Sequence, residues 1–234
     1  MTLSQGLHLL VTISTVPVRR LRTGSSTFPR EHGMSAFMET LHTQRMDDHR
    51  FYHHSRINQT LHLFSAISFL CAYVMLFVNP AIAAIIAWCF SMVSRQAGHF
   101  FFEPRGYDDV NQVTDEHKEE IKVGYNIKRK IVLMSAWALI PVMLMASPSL
   151  FGLIEPARNI QGLVNHVGLA WLALGVSALV FRVLQLTKQD CLWTGLVWAT
   201  KIVTDPFHDI RMYYSAPLAL LRGEMIDPMP HFRR

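Results

Sequence analysis

Histidines gather at the two places where one hydrophobic stretch begins and the next one ends. His53, His54 and His62 lie at the start of the first stretch, and His99 lies at the end of the second, four residues before Glu103. Neutral imidazoles and a nearby carboxylate are suitable ligands for iron or zinc. A single histidine at such a boundary is more often a capping or interfacial residue. A metal site is therefore predicted only if the chain brings these side chains together.

The two hydrophobic stretches, about 61–78 and 81–98, are separated only by Asn79 and Pro80. Two helices joined this tightly must turn back antiparallel. Each would be about 27 Å long at 1.5 Å per residue, which is enough to cross the hydrocarbon core of a bilayer. His62 and His99 lie roughly 17 and 19 residues from the turn, so they reach a similar depth. The hairpin is thus expected to deliver both histidines to the same membrane face.

The composition indicates a membrane protein. Half of the 234 residues are hydrophobic and only 17% are charged, and two further apolar stretches occupy about 131–147 and 163–184. We predict an all-α, multi-pass membrane protein with four transmembrane helices in two hairpins, plus an interfacial C-terminal helix. The predicted units are a disordered or targeting extension (1–45), a transmembrane domain (46–186) with a cytoplasmic loop (103–130), and an interfacial or cytoplasmic tail (187–234).

The net charge of +5 does not indicate a nucleic-acid partner, because the Lys and Arg residues flank the apolar segments instead of forming a separate basic face. Such flanking cations are typical of residues that anchor helices at a membrane edge. They concentrate before the first stretch, between the second and third, and after the fourth. Both termini and the central loop are therefore expected to be cytoplasmic. Three scattered cysteines indicate neither a disulfide framework nor a cysteine metal site.

Helical spacing suggests which side chains share a face. Residues three or four apart lie on one side of a helix. One such set, at the start of the first stretch, is His54, Asn58 and His62. The other, at the end of the second stretch, is Gln96, His99 and Glu103. An Asn or Gln beside a ligand imidazole can hold its ring in place. Glu103 could instead pair with a nearby arginine.

The tail carries a second polar group around Asp205 and His208. Asp205 directly precedes Pro206, a pair typical of the start of a helix, and capping would explain the aspartate. His208 remains a candidate metal ligand if the tail folds back under the helices.

The segment from Phe51 to Pro104 resembles a known protein family. The residues that carry it are His53, Asn58, His62, Gln96, Gly98, His99, Phe102 and Glu103. This pattern resembles that of the fungal endoplasmic-reticulum 2-hydroxy fatty acid dioxygenase and its bacterial relatives. The second hairpin resembles that family only in general plan.

The resemblance implies a membrane enzyme that uses Fe2+ and dioxygen to shorten a 2-hydroxy fatty acid by one carbon, a step of alpha-oxidation. It implies His53, His62 and His99 as iron ligands, with Asn58, Gln96 and Glu103 as further ligands or supporting groups. Helical spacing favours His54 over His53; we prefer His53, because a residue before a helix need not follow the helical period. The membrane would be the endoplasmic reticulum in a eukaryote or the inner membrane in a bacterium.

Two other functions are compatible with a membrane protein that carries these histidines. A di-iron desaturase or hydroxylase would need several paired histidine clusters, and only His53 and His54 form such a pair. A non-enzymatic membrane scaffold or small transporter could use the same histidines to line a polar pocket. The sequence leaves open whether the chain forms a homo-oligomer.

Overall fold

The computed structural model describes residues 33–103, 106–109, 111–121 and 127–229. Among these residues every regular element is a helix and there is no strand, which confirms the all-α prediction. The helices are α1 (Gly33–Tyr52), α2 (Arg56–Met75), α3 (Pro80–Phe101), α4 (Asp115–Ile121), α5 (Ile127–Ala146), α6 (Ile160–Gln189), α7 (Leu192–Tyr213) and α8 (Ala216–Leu221).

Capping residues set the limits of the first hairpin. Ser55 caps α2, and its hydroxyl accepts from the backbone N–H of Asn58. Asn79 caps α3, where its side-chain oxygen accepts from the N–H groups of Ala81 and Ile82, and Pro80 occupies the first turn. Proline suits that position because its missing N–H would have no partner there. The turn predicted at Asn79 and Pro80 is confirmed, and α2 packs against α3.

Three of the described helices are long and apolar enough to cross a membrane. They are Arg56–Met75, Pro80–Phe101 and Ile160–Gln189. The third predicted span corresponds to α5, whose apolar stretch Lys130–Ala146 is shorter than the others. The structure is therefore compatible with a membrane protein, and the count of four spans stays a prediction.

A tryptophan cluster joins the two hairpins. The indole N–H of Trp88 on α3 donates to the carbonyl of Trp171 on α6, and that of Trp171 donates to the carbonyl of Trp137 on α5, both at 2.9 Å. Trp88 lies in a wide helical turn, Ala87–Met92, which interrupts α3. Nearby, Gly168 lets α6 approach α3 so closely that an added Cβ would come 2.4 Å from the carbonyl oxygen of Ala81.

Helices α1 and α7 concern the extension and the tail expected from the sequence. Helix α1 begins at Gly33 and so includes residues 33–45 of the extension predicted for 1–45, while residues 1–32 lie outside the described part. Asp205 and Pro206 do not begin a helix as predicted; both lie buried inside α7. Asp205 is held there by two cations, because it accepts from Lys201 at 2.8 Å and from Arg45 at 3.2 Å. The tail folds back, and α7 packs on α1, α2 and α6.

Candidate metal centre

Three histidines from two helices and one connecting segment meet at a single point. His53, His62 and His99 each offer one ring nitrogen, and these nitrogens all lie within 4.8 Å of one another. The ring centroids are 4.0 Å apart for His53 and His62, 4.9 Å for His62 and His99, and 5.3 Å for His53 and His99. His62 is completely buried. This arrangement could hold a metal ion.

A break between two helices positions His53. Helix α1 ends at Tyr52 and α2 begins at Arg56, so His53 and His54 lie in a short segment that the helical period does not govern. His53 turns toward the other two histidines. His54 turns away, since its Nε2 contacts the carbonyl of Arg50, lies 3.1 Å from the amide nitrogen of Asn111, and is 3.5 Å from a carboxylate oxygen of Asp108. The structure therefore brings His53, and not His54, into the cluster.

Neighbouring side chains fix which ring nitrogen faces the centre. Nδ1 of His53 lies 2.6 Å from the Tyr213 hydroxyl, and Nδ1 of His99 lies 2.8 Å from a carboxylate oxygen of Glu103. In both rings Nε2 is therefore the candidate ligand atom. Metal-binding histidines commonly use their second nitrogen in this way to contact a carboxylate or another polar group.

His62 provides a test of whether a metal fits. Neither of its ring nitrogens has a hydrogen-bond partner although the side chain is fully buried, and Nε2 of His53 is also buried without a partner. A buried polar atom that makes no hydrogen bond costs about 1–3 kcal/mol. A metal ion coordinated by one ring nitrogen of His62 and by Nε2 of His53 would remove that cost for these two atoms, so the donor set fits a metal such as iron or zinc.

Burial and neighbouring charges keep the His53 imidazole neutral, which is the protonation state that a metal ligand requires. Burial is the first cause that lowers the pKa of His53 well below its ordinary value, followed by the charges of His62, His99, His49 and Arg95. The imidazole therefore stays neutral at physiological pH, which is the metal-binding form. Burial also raises the pKa of Tyr213 well above its ordinary value, with help from Asp209 and Asp48. The phenol therefore keeps its proton.

Sequence reasoning missed two neighbours of the cluster, Asp209 and Tyr213. Asp209 places a carboxylate oxygen 3.8 Å from Nδ1 of His62, and the same oxygen accepts from Arg95. Tyr213 contacts His53 and also lies 3.1 Å from Nδ1 of His49. Asp209 and Tyr213 are four residues apart on α7, and that spacing was the only signal in the sequence. It could not show that α7 returns to the first hairpin.

Asn58 and Gln96 lie beside the cluster with different surroundings. The Asn58 amide donates to the carbonyl of Tyr52 at 2.9 Å, and its oxygen lies against Gly98, where an added Cβ would come within 2.1 Å. Gln96 is buried, and its side-chain oxygen has no hydrogen-bond partner. The predicted role of both residues in binding the metal or its ligand stays a prediction.

His208 lies outside the three-histidine cluster. It lines a small pocket together with Arg45, Asp48 and Asp209, and its Nε2 is buried without a partner. The tail thus returns to the site as the sequence analysis allowed, but it presents Asp209 and Tyr213 to the cluster instead of His208.

A large cavity opens beside the cluster. Its volume is about 1290 Å³, which exceeds the roughly 300–1,000 Å³ of ordinary small-ligand pockets. The three histidines contribute to its wall, and much of the remaining wall is apolar, including Trp88, Met92, Leu133, Trp171, Leu172 and Leu179. A long apolar ligand could lie in this cavity with one end at the histidines.

No protein-family model, curated protein or solved structure matches this chain.

Proposed function

We propose that this protein is an iron-dependent membrane dioxygenase that shortens 2-hydroxy fatty acids by one carbon. The observation that supports the proposal most strongly is the cluster of His53, His62 and His99 in the wall of a large apolar cavity. Three neutral imidazoles leave several positions on a metal open, as is common in non-haem iron oxygenases. Bound Fe2+ would supply the one-electron chemistry that dioxygen needs and would bind the substrate oxygens.

The residues of the chain supply binding and orientation. The apolar wall around Trp88 and Trp171 would hold the acyl chain and exclude water from the reacting end. Tyr213 and Glu103 contact Nδ1 of His53 and His99, which keeps the Nε2 atoms directed at the centre. A site near the end of α3 would let a polar head group remain close to the cytoplasmic membrane face while the chain stays in lipid.

The reaction balances with dioxygen as the oxidant. One 2-hydroxy acid and one O2 give the acid that is one carbon shorter, one CO2 and one water. The bond between the carboxyl carbon and the hydroxylated carbon breaks, and that hydroxylated carbon becomes the new carboxyl carbon. The partners are therefore the fatty acid, dioxygen and the lipid bilayer. The proposed location is the endoplasmic-reticulum or bacterial inner membrane, with both termini cytoplasmic.

Substrate conversion tests the proposal. Detergent-purified protein loaded anaerobically with Fe2+ is given 2-hydroxypalmitate and then oxygen, and pentadecanoate and oxygen uptake are measured together. We expect equal amounts of product and oxygen consumed, with no product from palmitate, which lacks the 2-hydroxyl group. His62→Ala should abolish the reaction, whereas His42→Ala, at an exposed position of α1, should leave it unchanged. Iron-loaded protein that leaves 2-hydroxypalmitate intact would refute the proposal.

A non-enzymatic scaffold or small transporter is the alternative, since a large apolar cavity also suits a protein that only binds lipid. That reading predicts that the protein binds a fatty acid equally well before and after His62→Ala and His99→Ala. It also predicts that purified protein holds no stoichiometric metal.

A further inference from the structure

An arginine lies one helical turn from the metal cluster. Arg95 precedes His99 by four residues on α3, so the two side chains share a helix face, and both line the large cavity. One terminal nitrogen of Arg95 contacts the Asp209 carboxylate oxygen that lies 3.8 Å from Nδ1 of His62, which places the guanidinium near the cluster. Arginine in a membrane-spanning helix is costly and commonly marks a functional site.

The pairing of Arg95 leaves part of its guanidinium group unused. One terminal nitrogen donates to Asp209, and this contact holds the group in place. Its Nε–H is buried and has no hydrogen-bond partner. A guanidinium group presents its donors in a planar fork that matches a carboxylate. The geometry thus offers a fixed cation with an unsatisfied donor beside the cavity.

The other cations of the cavity wall are engaged elsewhere or enter from other helices. Lys201 lies between Asp48 and Asp205, at 2.5 Å and 2.8 Å. Arg182 on α6 donates to Gln185 at 2.8 Å. Lys130 stands near the start of α5. Of these cations, Arg95 alone is on the helix that carries His99 and is linked through Asp209 to His62.

We infer that Arg95 is the residue that recognises the ligand's carboxylate, so that the cavity selects long-chain carboxylic acids over neutral lipids of the same length. This inference rests on the proposed function for the choice of a fatty acid as the ligand. An acyl chain in the apolar cavity would place its carboxylate between Arg95 and the three histidines, and the carbon next to the carboxylate would then lie at the metal. Arg95 would thereby fix which carbon reacts.

Head-group selectivity in the metal-free protein tests this inference. Chelator-treated protein in nanodiscs is titrated with a dibrominated stearate and with the matching dibrominated alcohol. Quenching of tryptophan fluorescence reports binding, because Trp88 and Trp171 line the cavity. We expect wild-type protein to prefer the carboxylate by about tenfold or more, since charge-assisted hydrogen bonds are roughly twice as strong as neutral ones.

Matched variants identify the residue responsible. Arg95→Gln should reduce the preference to about one, and Arg95→Lys should retain part of it. Arg95→Gln alone leaves the buried Asp209 carboxylate without its cation, which can destabilise the fold. The double variant Arg95→Gln/Asp209→Asn removes both charges and so tests the same loss of the guanidinium without that cost. Arg182→Gln and Lys130→Gln change other cations of the cavity wall and should keep the wild-type preference.

The inference is overturned if the double variant folds and still prefers the carboxylate as strongly as wild type, or if Arg182→Gln or Lys130→Gln abolishes the preference. This test needs neither metal nor turnover. An Arg95-dependent preference in a protein that does not convert 2-hydroxypalmitate would therefore refute only the proposed function. Normal conversion with no such preference would refute only the role of Arg95.

Discussion

Tyr213 connects the metal cluster to a fourth histidine. If His53 binds a metal through Nε2, its Nδ1 carries the proton and donates to the Tyr213 oxygen at 2.6 Å. The Tyr213 hydroxyl can then donate to Nδ1 of His49 at 3.1 Å. One tyrosine thus fixes the orientation of His53 and the tautomers of two rings.

We expect Tyr213→Phe to weaken metal binding by about 10- to 100-fold, as is typical when the group that holds a ligand histidine is removed. Competition with a chelator of known affinity measures the effect. Tyr214→Phe is the matched control, because Tyr214 is the next residue and is exposed. Equal metal affinity in Tyr213→Phe and wild type would show that this hydrogen bond does not position His53.

The sequence could predict the three histidines and Glu103, which contacts His99, but not the supporting groups on α7. His62 and His99 follow from counting residues away from a tight turn, and that count needs only the helical rise. Asp209 and Tyr213 reach the site because α7 packs back on α1 and α2, which is a tertiary contact between distant segments. His53 was distinguished from His54 by the resemblance, and the break between α1 and α2 now supplies the physical reason.

At the scale of helices, the close approach of α2 and α3 depends on Gly98. A Cβ at this position would come 2.1 Å from the Asn58 side-chain oxygen. Asn58 cannot move aside freely, because its amide donates to the carbonyl of Tyr52. Any larger residue must break that bond or push apart the two helices that carry His62 and His99.

We therefore expect Gly98→Ala to lower the free energy of unfolding by about 1–3 kcal/mol, the usual cost of overpacking, and to reduce metal content. Gly175→Ala is the control, since its nearest neighbour, a Trp88 atom, would be 3.8 Å from the new Cβ. Thermal unfolding in detergent and metal analysis report the two effects. An unchanged metal content in Gly98→Ala would contradict the proposed role of this contact.

Asp227, in the segment that follows α8, binds the start of α2 through hydrogen bonds and an ion pair. Its carboxylate accepts from Gln59 and Arg56, both at 2.9 Å, and from the backbone N–H of Met229 at 3.0 Å. Burial alone would raise the pKa of Asp227, but the Gln59 amide, the Met229 N–H and the Arg56 charge together lower it below 3.8. The ionised form is therefore favoured in the folded protein.

Because the pKa is lower in the folded state, this stabilisation is complete above pH 3.8 and is lost as the pH falls through the folded-state pKa. We expect Asp227→Asn to reduce the free energy of unfolding by about 1–3 kcal/mol at neutral pH, and the difference from wild type to shrink below pH 3.8. Unfolding measured at several pH values checks this. Glu224→Gln, at an exposed ion pair with Arg56, should change stability little. A difference that is independent of pH would contradict the account.

The positions of the long apolar helices were predictable from the sequence, but the packing of these helices was not. The apolar stretches 61–78, 81–98 and 163–184 fall within α2, α3 and α6, apart from the turn residues that follow α2. Long apolar runs predict helices directly, since bilayer spans must satisfy their own backbone hydrogen bonds. Trp88 in the wide turn of α3 contacts Trp171, and buried Asp205 contacts Lys201 and Arg45. Local sequence does not reveal such partners.

At the scale of the whole molecule, the predicted membrane arrangement places the turn of the first hairpin and the histidine cluster on opposite sides of the membrane. Phe77 beside that turn is 93% exposed, and Asp109 lies exposed in the loop after α3. Single cysteines at these positions, in a background with Ser at Cys71, Cys89 and Cys191, report their location. In vesicles with the cytoplasmic face outward, an impermeant thiol reagent should label Asp109→Cys at once. It should label Phe77→Cys only after permeabilisation. Labelling of both from one side would contradict the membrane arrangement.

The proposed activity requires one metal ion held by side chains from α2, α3 and the segment before α2. Metal analysis of purified protein, supplied with iron, measures this directly. We predict about one iron per chain, lost in His53→Ala, His62→Ala and His99→Ala and retained in His42→Ala, with all variants folded by thermal unfolding. Folded wild-type protein without stoichiometric metal, or variants that keep it, would contradict the metal centre.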